Sequence, residues 1–180
     1  MRKPRQLQKG ARYHVSARIN RKEMILEAGA TKQLFLTVVK RAKAKYDFRI
    51  DNFCIMGNHF HLVIKPGTHE SLSAIMQWIL SVFAMAYNKI RNITGHVWGS
   101  RFFSRIMSGL RELMQVFEYI DENPVRSNQV TNRRDWRYGG LWHRRVGCRE
   151  LVDELPKCLN LLFPEHAPLS LSYASVALDL

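Results

Sequence analysis

Cysteine is scarce in this chain. Cys54, Cys148 and Cys158 are an odd number with no C-x-x-C spacing, which excludes a disulfide framework and a cysteine-rich zinc site and leads us to expect a reducing, cytoplasmic setting. No run of about 18 apolar residues exists to span a membrane. The basic N-terminus Met1-Arg2-Lys3-Pro4-Arg5 is not followed by an apolar signal core. There is no phosphate-binding Walker loop, no G-x-S-x-G elbow and no internal repeat. Negative charge is also in short supply, with 15 acidic residues against 28 Lys plus Arg and a net charge of +13. An imbalance of that size points to a polyanionic partner.

What is present suits one domain with an appendage: 180 residues, 46% of them hydrophobic. The positive charge is uneven, with 21 basic and 9 acidic residues up to Arg126 and 7 and 6 from Ser127 onward. We therefore expect a catalytic or binding domain over residues 1–126, carrying the nucleic-acid surface, and a C-terminal extension over 127–180. Arg101, Arg105 and Arg126 are candidate phosphate contacts in the basic part. In the extension, Trp136, Tyr138, Trp142, Arg144 and Arg145 mix aromatic rings with guanidinium groups, a composition that suits base stacking and phosphate pairing but equally a packed loop. The acidic stretch from Glu150 to Leu180 is expected to dock or stay disordered.

Periodicity gives the element order. Tyr13–Ile19 alternates as a strand after basic residues 1–12. Ala30–Tyr46 carries Leu34, Phe35, Val38 and Ala42 at helical spacing, with Lys32, Lys40, Arg41, Lys43 and Lys45 on an outer basic side. Phe48–Met56 is a second strand, and Gly57-Asn58 can turn it back into the strand beginning at His59. Ser71 caps a helix to Arg91 with the stripe Leu72, Ile75, Met76, Ile79, Phe83, Ala86 and Ile90. Arg101–Ser108 alternates as a fourth strand. A last helix from Leu110 to Asn123, stopped by Pro124, carries Leu110, Leu113, Met114, Phe117 and Ile120. The order β-α-β-β-α-β predicts a ferredoxin-like α+β fold, a four-stranded antiparallel sheet with two helices on one face.

The chemistry concentrates in Met56-Gly57-Asn58-His59-Phe60-His61-Leu62-Val63-Ile64-Lys65. Alternation puts His59, His61, Val63 and Lys65 on one face and Phe60, Leu62 and Ile64 on the other. The hairpin register then opposes Met56 to His59, Cys54 to His61 and Phe53 to Leu62, so one face is core and the other holds two imidazoles. Half of a metal site is available by spacing. Tyr119 and Asn123, at i and i+4 on the last helix, can face one target together. Tyr87 lies inside the long helix with Phe83 at i−4 and is assigned to packing. His14, His69, His96, His143 and His166 lack a partner histidine at strand or helix spacing, and none is assigned to metal.

MGNHFHLVIKP, GHVWGSRFFSR and YIDENPVRS, in that order, resemble the single-tyrosine HUH transposases, and within them the REP-associated branch; the likeness covers roughly Tyr13 to Trp142. It implies a ferredoxin-like domain in which His59, His61 and Asn123 hold a divalent ion, Mg²⁺ or Mn²⁺, and Tyr119 attacks single-stranded DNA beside a hairpin, leaving a 5′-phosphotyrosine. Gly57 stands where many relatives have proline, and Asn123 where the insertion-sequence branch has glutamine. The implied partner is single-stranded or hairpin DNA, and the chain would act as a monomer or homodimer without a membrane partner. A non-catalytic nucleic-acid-binding module on the same fold is the competing reading; its expected platform of strand aromatics is absent, since histidines occupy the free face.

Overall fold

The computed structural model describes residues 8–168. The first basic residues and the final stretch of the acidic tail lie outside the described residues. Strand β1 (Tyr13–Arg18) buries Tyr13, Val15 and Ala17 and turns His14 and Ser16 the other way. Helix α1 (Gly29–Lys45), strands β2 (Phe48–Ile55) and β3 (His59–Pro66), helix α2 (Leu72–Arg91), strand β4 (Phe103–Ile106) and helix α3 (Leu110–Arg126) follow. The strands form one antiparallel sheet in the order β2-β3-β1-β4. That is the expected α+β, ferredoxin-like arrangement.

Helices α1 and α2 cover one face. Phe35, Phe60 and Phe83 are fully buried there, with ring centroids 4.7 Å apart for Phe35–Phe60 and 5.4 Å for Phe35–Phe83. Trp98 closes the cluster, its indole N–H donating to the Leu80 carbonyl at 2.9 Å. Ser71 caps α2 by accepting from the Ala74 amide. Asn92, in the left-handed region at φ 50°, ends it. The stripe expected on α2 is buried through Phe83, but Ile90, in the last turn, is 69% exposed.

Other expectations need correction. Lys32 is buried, not on the outer side of α1. Its ammonium donates to the Glu27 carbonyl at 2.6 Å and lies 5.4 and 5.1 Å from the Trp136 and Tyr138 ring centroids, so a carbonyl and two π faces replace its hydration. Strand β4 is shorter than expected. Helix α3 runs through Pro124 to Arg126. A proline so near the end removes a single backbone donor, and beyond it the Ser127 amide still reaches the Asn123 carbonyl at 3.1 Å. Leu110 and Met114 are exposed, and the buried stripe is Leu113, Phe117, Ile120 and Asn123.

That stripe defines a second layer. Leu113, Phe117 and Ile120 pack on Cys54, Met56 and Val63, with Trp136, Leu155 and Leu159 around them. Part of the histidine face is therefore covered, and the sheet is sandwiched between helices on both sides. A bulge at Asp51 shifts the β2–β3 register between Ile50 and Asn52. It lets Ile50 and Phe53 both enter the first core while Asn52 turns toward α3 and donates to Asp121 at 3.0 Å.

Packing crosses the charge boundary after Arg126. The Tyr138 carbonyl accepts from the Ile55 amide at 2.9 Å and Gly139 bridges Cys54, which covers the open edge of β2. Gly140, at the start of α4 (Gly140–Arg145), must be glycine-sized: a Cβ there would lie 2.9 Å from the Phe53 amide nitrogen. Arg144 is buried and donates to the Asp51 and Asp153 carbonyls at 2.8 and 2.9 Å, with His166 Nδ1 at 2.6 Å. His166 Nε2 in turn pairs with Asp121 of α3 at 2.8 Å. The acidic segment thus docks as far as it is described. We expect Arg144→Ala, which strands these acceptors, to cost about 2–4 kcal/mol. A thermal melt checks this, and an unchanged melting temperature would mean that the cluster contributes nothing to stability.

Candidate active site

The hairpin register places His61 opposite Cys54 and Leu62 opposite Phe53, with the Met56 amide bonded to the His59 carbonyl at 2.8 Å. His59 and His61 share a face with ring centroids 5.1 Å apart. Strand β1 brings a third imidazole. His61 pairs with Ser16, and His14, one pleat along β1, reaches across so that its Nε2 lies 3.0 Å from His61 Nδ1. Sequence spacing could not supply this contact, because the β1–β3 register is set by folding. Its only trace in the sequence is that His14 and Ser16 occupy the polar positions of an alternating strand.

Helix α3 suspends Tyr119 over this face. Its ring lies 5.2 Å from His61 and 6.2 Å from His14, both edge-on, and it is 39% exposed. One turn later Asn123 is buried and donates to the Tyr119 carbonyl at 3.1 Å, which leaves its amide oxygen for another partner. The structure therefore brings His59, His61, Tyr119 and Asn123 together, with His14 beside them. Tyr87 stacks on Phe83 at 6.1 Å, in the packing role expected of it.

The imidazoles are held neutral. Burial, then the neighbouring His14, His59 and Arg18, pushes His61 down to about 3. Burial lowers His59, with Arg18 adding to the effect and a hydrogen bond to the Asn123 side chain opposing it. His14 is lowered by burial and by Arg105. His61 Nε2 is buried with no hydrogen-bond partner. Of the two nitrogens facing each other between His14 and His61, one must carry the proton. Assigning it to His61 Nδ1 leaves a lone pair on Nε2 directed into the site. Among the described residues no group of three or more His, Cys, Asp or Glu side chains is arranged to hold a metal ion. The available donor set is instead two imidazoles and the Asn123 amide.

The basic groups divide. Arg18, at the end of β1 opposite His59, and Arg101, Arg105 and Arg126 are exposed. Arg105 pairs with Glu112 at 2.7 Å, and the Arg126 guanidinium lies 6.0 Å from the Tyr119 ring. Arg18 was not among the expected contacts. In the extension, Trp136 and Arg144 are 9% and 6% exposed, withdrawn from solvent by packing against β2 and α3, so neither is free to stack on bases or pair with phosphate. Tyr138 is partly buried under Lys32, whereas Trp142 and Arg145 keep partial exposure. The packed-loop alternative describes this segment.

A chain with this fold and with these side chains on one sheet face falls, by its family match, in the class of the transposases, enzymes that cut and rejoin DNA. The chain belongs to the IS200-like transposase family, whose profile matches residues 8–123. It is 25% identical over 122 residues to a Haemophilus influenzae protein assigned as a REP-associated tyrosine transposase, a match covering 62% of this chain and 69% of that one. Its fold is similar to that of a REP-associated tyrosine transposase solved bound to a REP hairpin, with TM-score 0.71 and 21% identity over 85% of this chain and 89% of that one. Among the described residues no helix is long and apolar enough to cross a membrane.

Buried neutral histidines make stability depend on pH. Burial also pushes His143 down to about 4, whereas histidine in an unfolded chain titrates near 6.5. Between those values the unfolded state binds more protons, so stability is complete above about pH 6.5 and falls as pH drops through the folded-state values. From His61 and His143 together we expect a loss of about 5 kcal/mol between pH 7 and 4.5, read from urea midpoints. A flat profile over that range would contradict the burial assignment.

Proposed function

We propose that this transposase is a metal-dependent, single-stranded DNA endonuclease and strand transferase that works beside DNA hairpins through a covalent tyrosine intermediate. One observation carries the reading: Tyr119 stands half-exposed against His61, whose inward nitrogen has no partner, at a face ringed by Arg18, Arg105 and Arg126.

The donors fit a divalent ion that keeps open positions. His59 is oriented by its Nδ1 contact to Asn58 Oδ1 at 2.8 Å, His61 by His14, and Asn123 offers an amide oxygen. Such a mixed nitrogen and oxygen set suits Mn²⁺ or Mg²⁺, with imidazole favouring Mn²⁺. When bound, the ion would polarise the scissile phosphate as a Lewis acid.

The remaining work falls to the chain. Tyr119 Oη attacks phosphorus, the P–O3′ bond breaks, the phenolic proton is carried off and the departing 3′ oxygen gains one. The products are a 5′-phosphotyrosine and a free 3′-OH. Reversal by an incoming 3′-OH restores the phenol and reseals the strand without an external energy source. A phenol is a weak nucleophile near neutrality, and the arginines at the rim attract the phosphate it must reach. Helix α3 supplies the orientation, since Asn123 grips the Tyr119 carbonyl while Phe117 and Ile120 anchor the helix. The substrate is a single strand because a regular duplex does not bend a phosphate into the angle between α3 and the sheet. The hairpin preference follows from the family resemblance and accords with the relative solved on a REP hairpin.

We expect Tyr119→Phe to abolish the covalent adduct on labelled hairpin DNA while leaving binding within about twofold, since a hydroxyl is lost and the ring kept. His59→Ala should weaken Mn²⁺ binding by calorimetry and reduce cleavage at least about a hundredfold. An adduct that survives Tyr119→Phe, or Mn²⁺ affinity indifferent to His59, would sink the corresponding assignment.

Tyr119 faces the histidines of its own chain, so we assign the reaction in cis and one chain as the catalytic unit. Mixing Tyr119→Phe with the His59→Ala chain should restore no cleavage. Recovery of activity in the mixture would show that the tyrosine reaches across a dimer.

A further inference from the structure

The histidines, Tyr119 and Asn123 leave one feature of the same face unexplained, a large apolar ring held in solvent. Contrary to the expectation that no strand aromatic occupies the histidine face, Phe103 on β4 is 55% exposed there. It pairs with Ser16, and Arg105, two residues on, pairs with His14, so Phe103 and Arg105 lie on the pleat face that carries the imidazoles. The His14 ring meets Phe103 edge-on at 6.4 Å and Tyr119 edge-on at 6.2 Å. One histidine thus separates two exposed aromatic rings. The adjacent Phe102 is buried at 7% exposure, so the sheet edge has already sent one phenyl ring inward and kept the other out. An exposed phenylalanine forgoes the stabilisation that burial would bring.

We propose that Phe103 is a stacking platform for an unpaired base of the DNA strand, adjacent to the phosphate presented to Tyr119. The proposal rests on the single-strand reading above and deepens it by naming a base-contact subsite. Charge selects the occupant. Exposed Arg101 and Arg105, the latter paired with Glu112, stand two residues either side of Phe103 on a chain of net charge +13, which suits a polyanion whose bases carry π faces and disfavours a second copy of the same surface. Stacking is tolerant of sequence, so Phe103 would hold the strand in place and leave the choice of target to other contacts. The ring of His14, gripped by His61, keeps the platform at a fixed distance from the nucleophile.

The test is affinity for a fluorescently labelled hairpin DNA with an unpaired flank, measured without divalent ion so that no cleavage intervenes. Phe103→Leu keeps apolar bulk but removes the planar ring, and should weaken binding about 5- to 150-fold. Phe103→Trp should bind within about threefold of the unaltered chain. Single abasic sites placed along the flank should include one that weakens the unaltered chain and leaves Phe103→Leu unaffected. Equal binding by Phe103→Leu and the unaltered chain, or abasic sites that weaken both to the same degree, would overturn the platform alone. An unaltered chain that binds perfect duplex as tightly as the hairpin would overturn the single-strand reading, and the platform with it.

Discussion

The seat of α3 on the sheet is the constraint on which the site depends. Phe117 and Ile120 press the helix onto Cys54, Met56 and Val63, and Phe163 stacks on Phe117 from outside at 4.2 Å. Position along the sheet is then fixed by polar contacts that tolerate little sliding. Asn52 and His166 grip the two oxygens of Asp121, and Arg144 ties His166 to the β2 backbone. Asp121 is two residues from Tyr119. A shift of the helix that moved the tyrosine would break buried charge-assisted bonds, which are costly to leave unmade. The C-terminal segment therefore belongs to the packing that positions Tyr119, although the family match ends at residue 123.

The site itself joins strands with different origins of order. A tight turn and a two-residue period put His59 and His61 on one face whatever the rest of the chain does. Their orientation comes from elsewhere: His14 from β1 holds one ring and Asn58 the other. Burial keeps these imidazoles neutral and able to donate lone pairs. The arginines at the rim supply positive charge where it does not compete for that role. Separating neutral donors at the centre from fixed cations at the edge suits the proposed reaction, in which the substrate is an anion.

Alternation and helical spacing in the sequence determined the element order, the hairpin register, the core face made of Phe53, Ile55, Phe60, Leu62 and Ile64, and the pairing of His59 with His61 and of Tyr119 with Asn123. These are short-range relations, set by backbone periods of two and about 3.6 residues. Only the tertiary structure decided what crosses from one element to another. It brought His14 to the site, took Lys32, Trp136 and Arg144 inside, carried α3 past Pro124 and laid it over the histidine face. An arginine bound for a carbonyl-lined interior and one bound for a phosphate look the same in a sequence. The difference lies in the partners that long-range packing places around each of them.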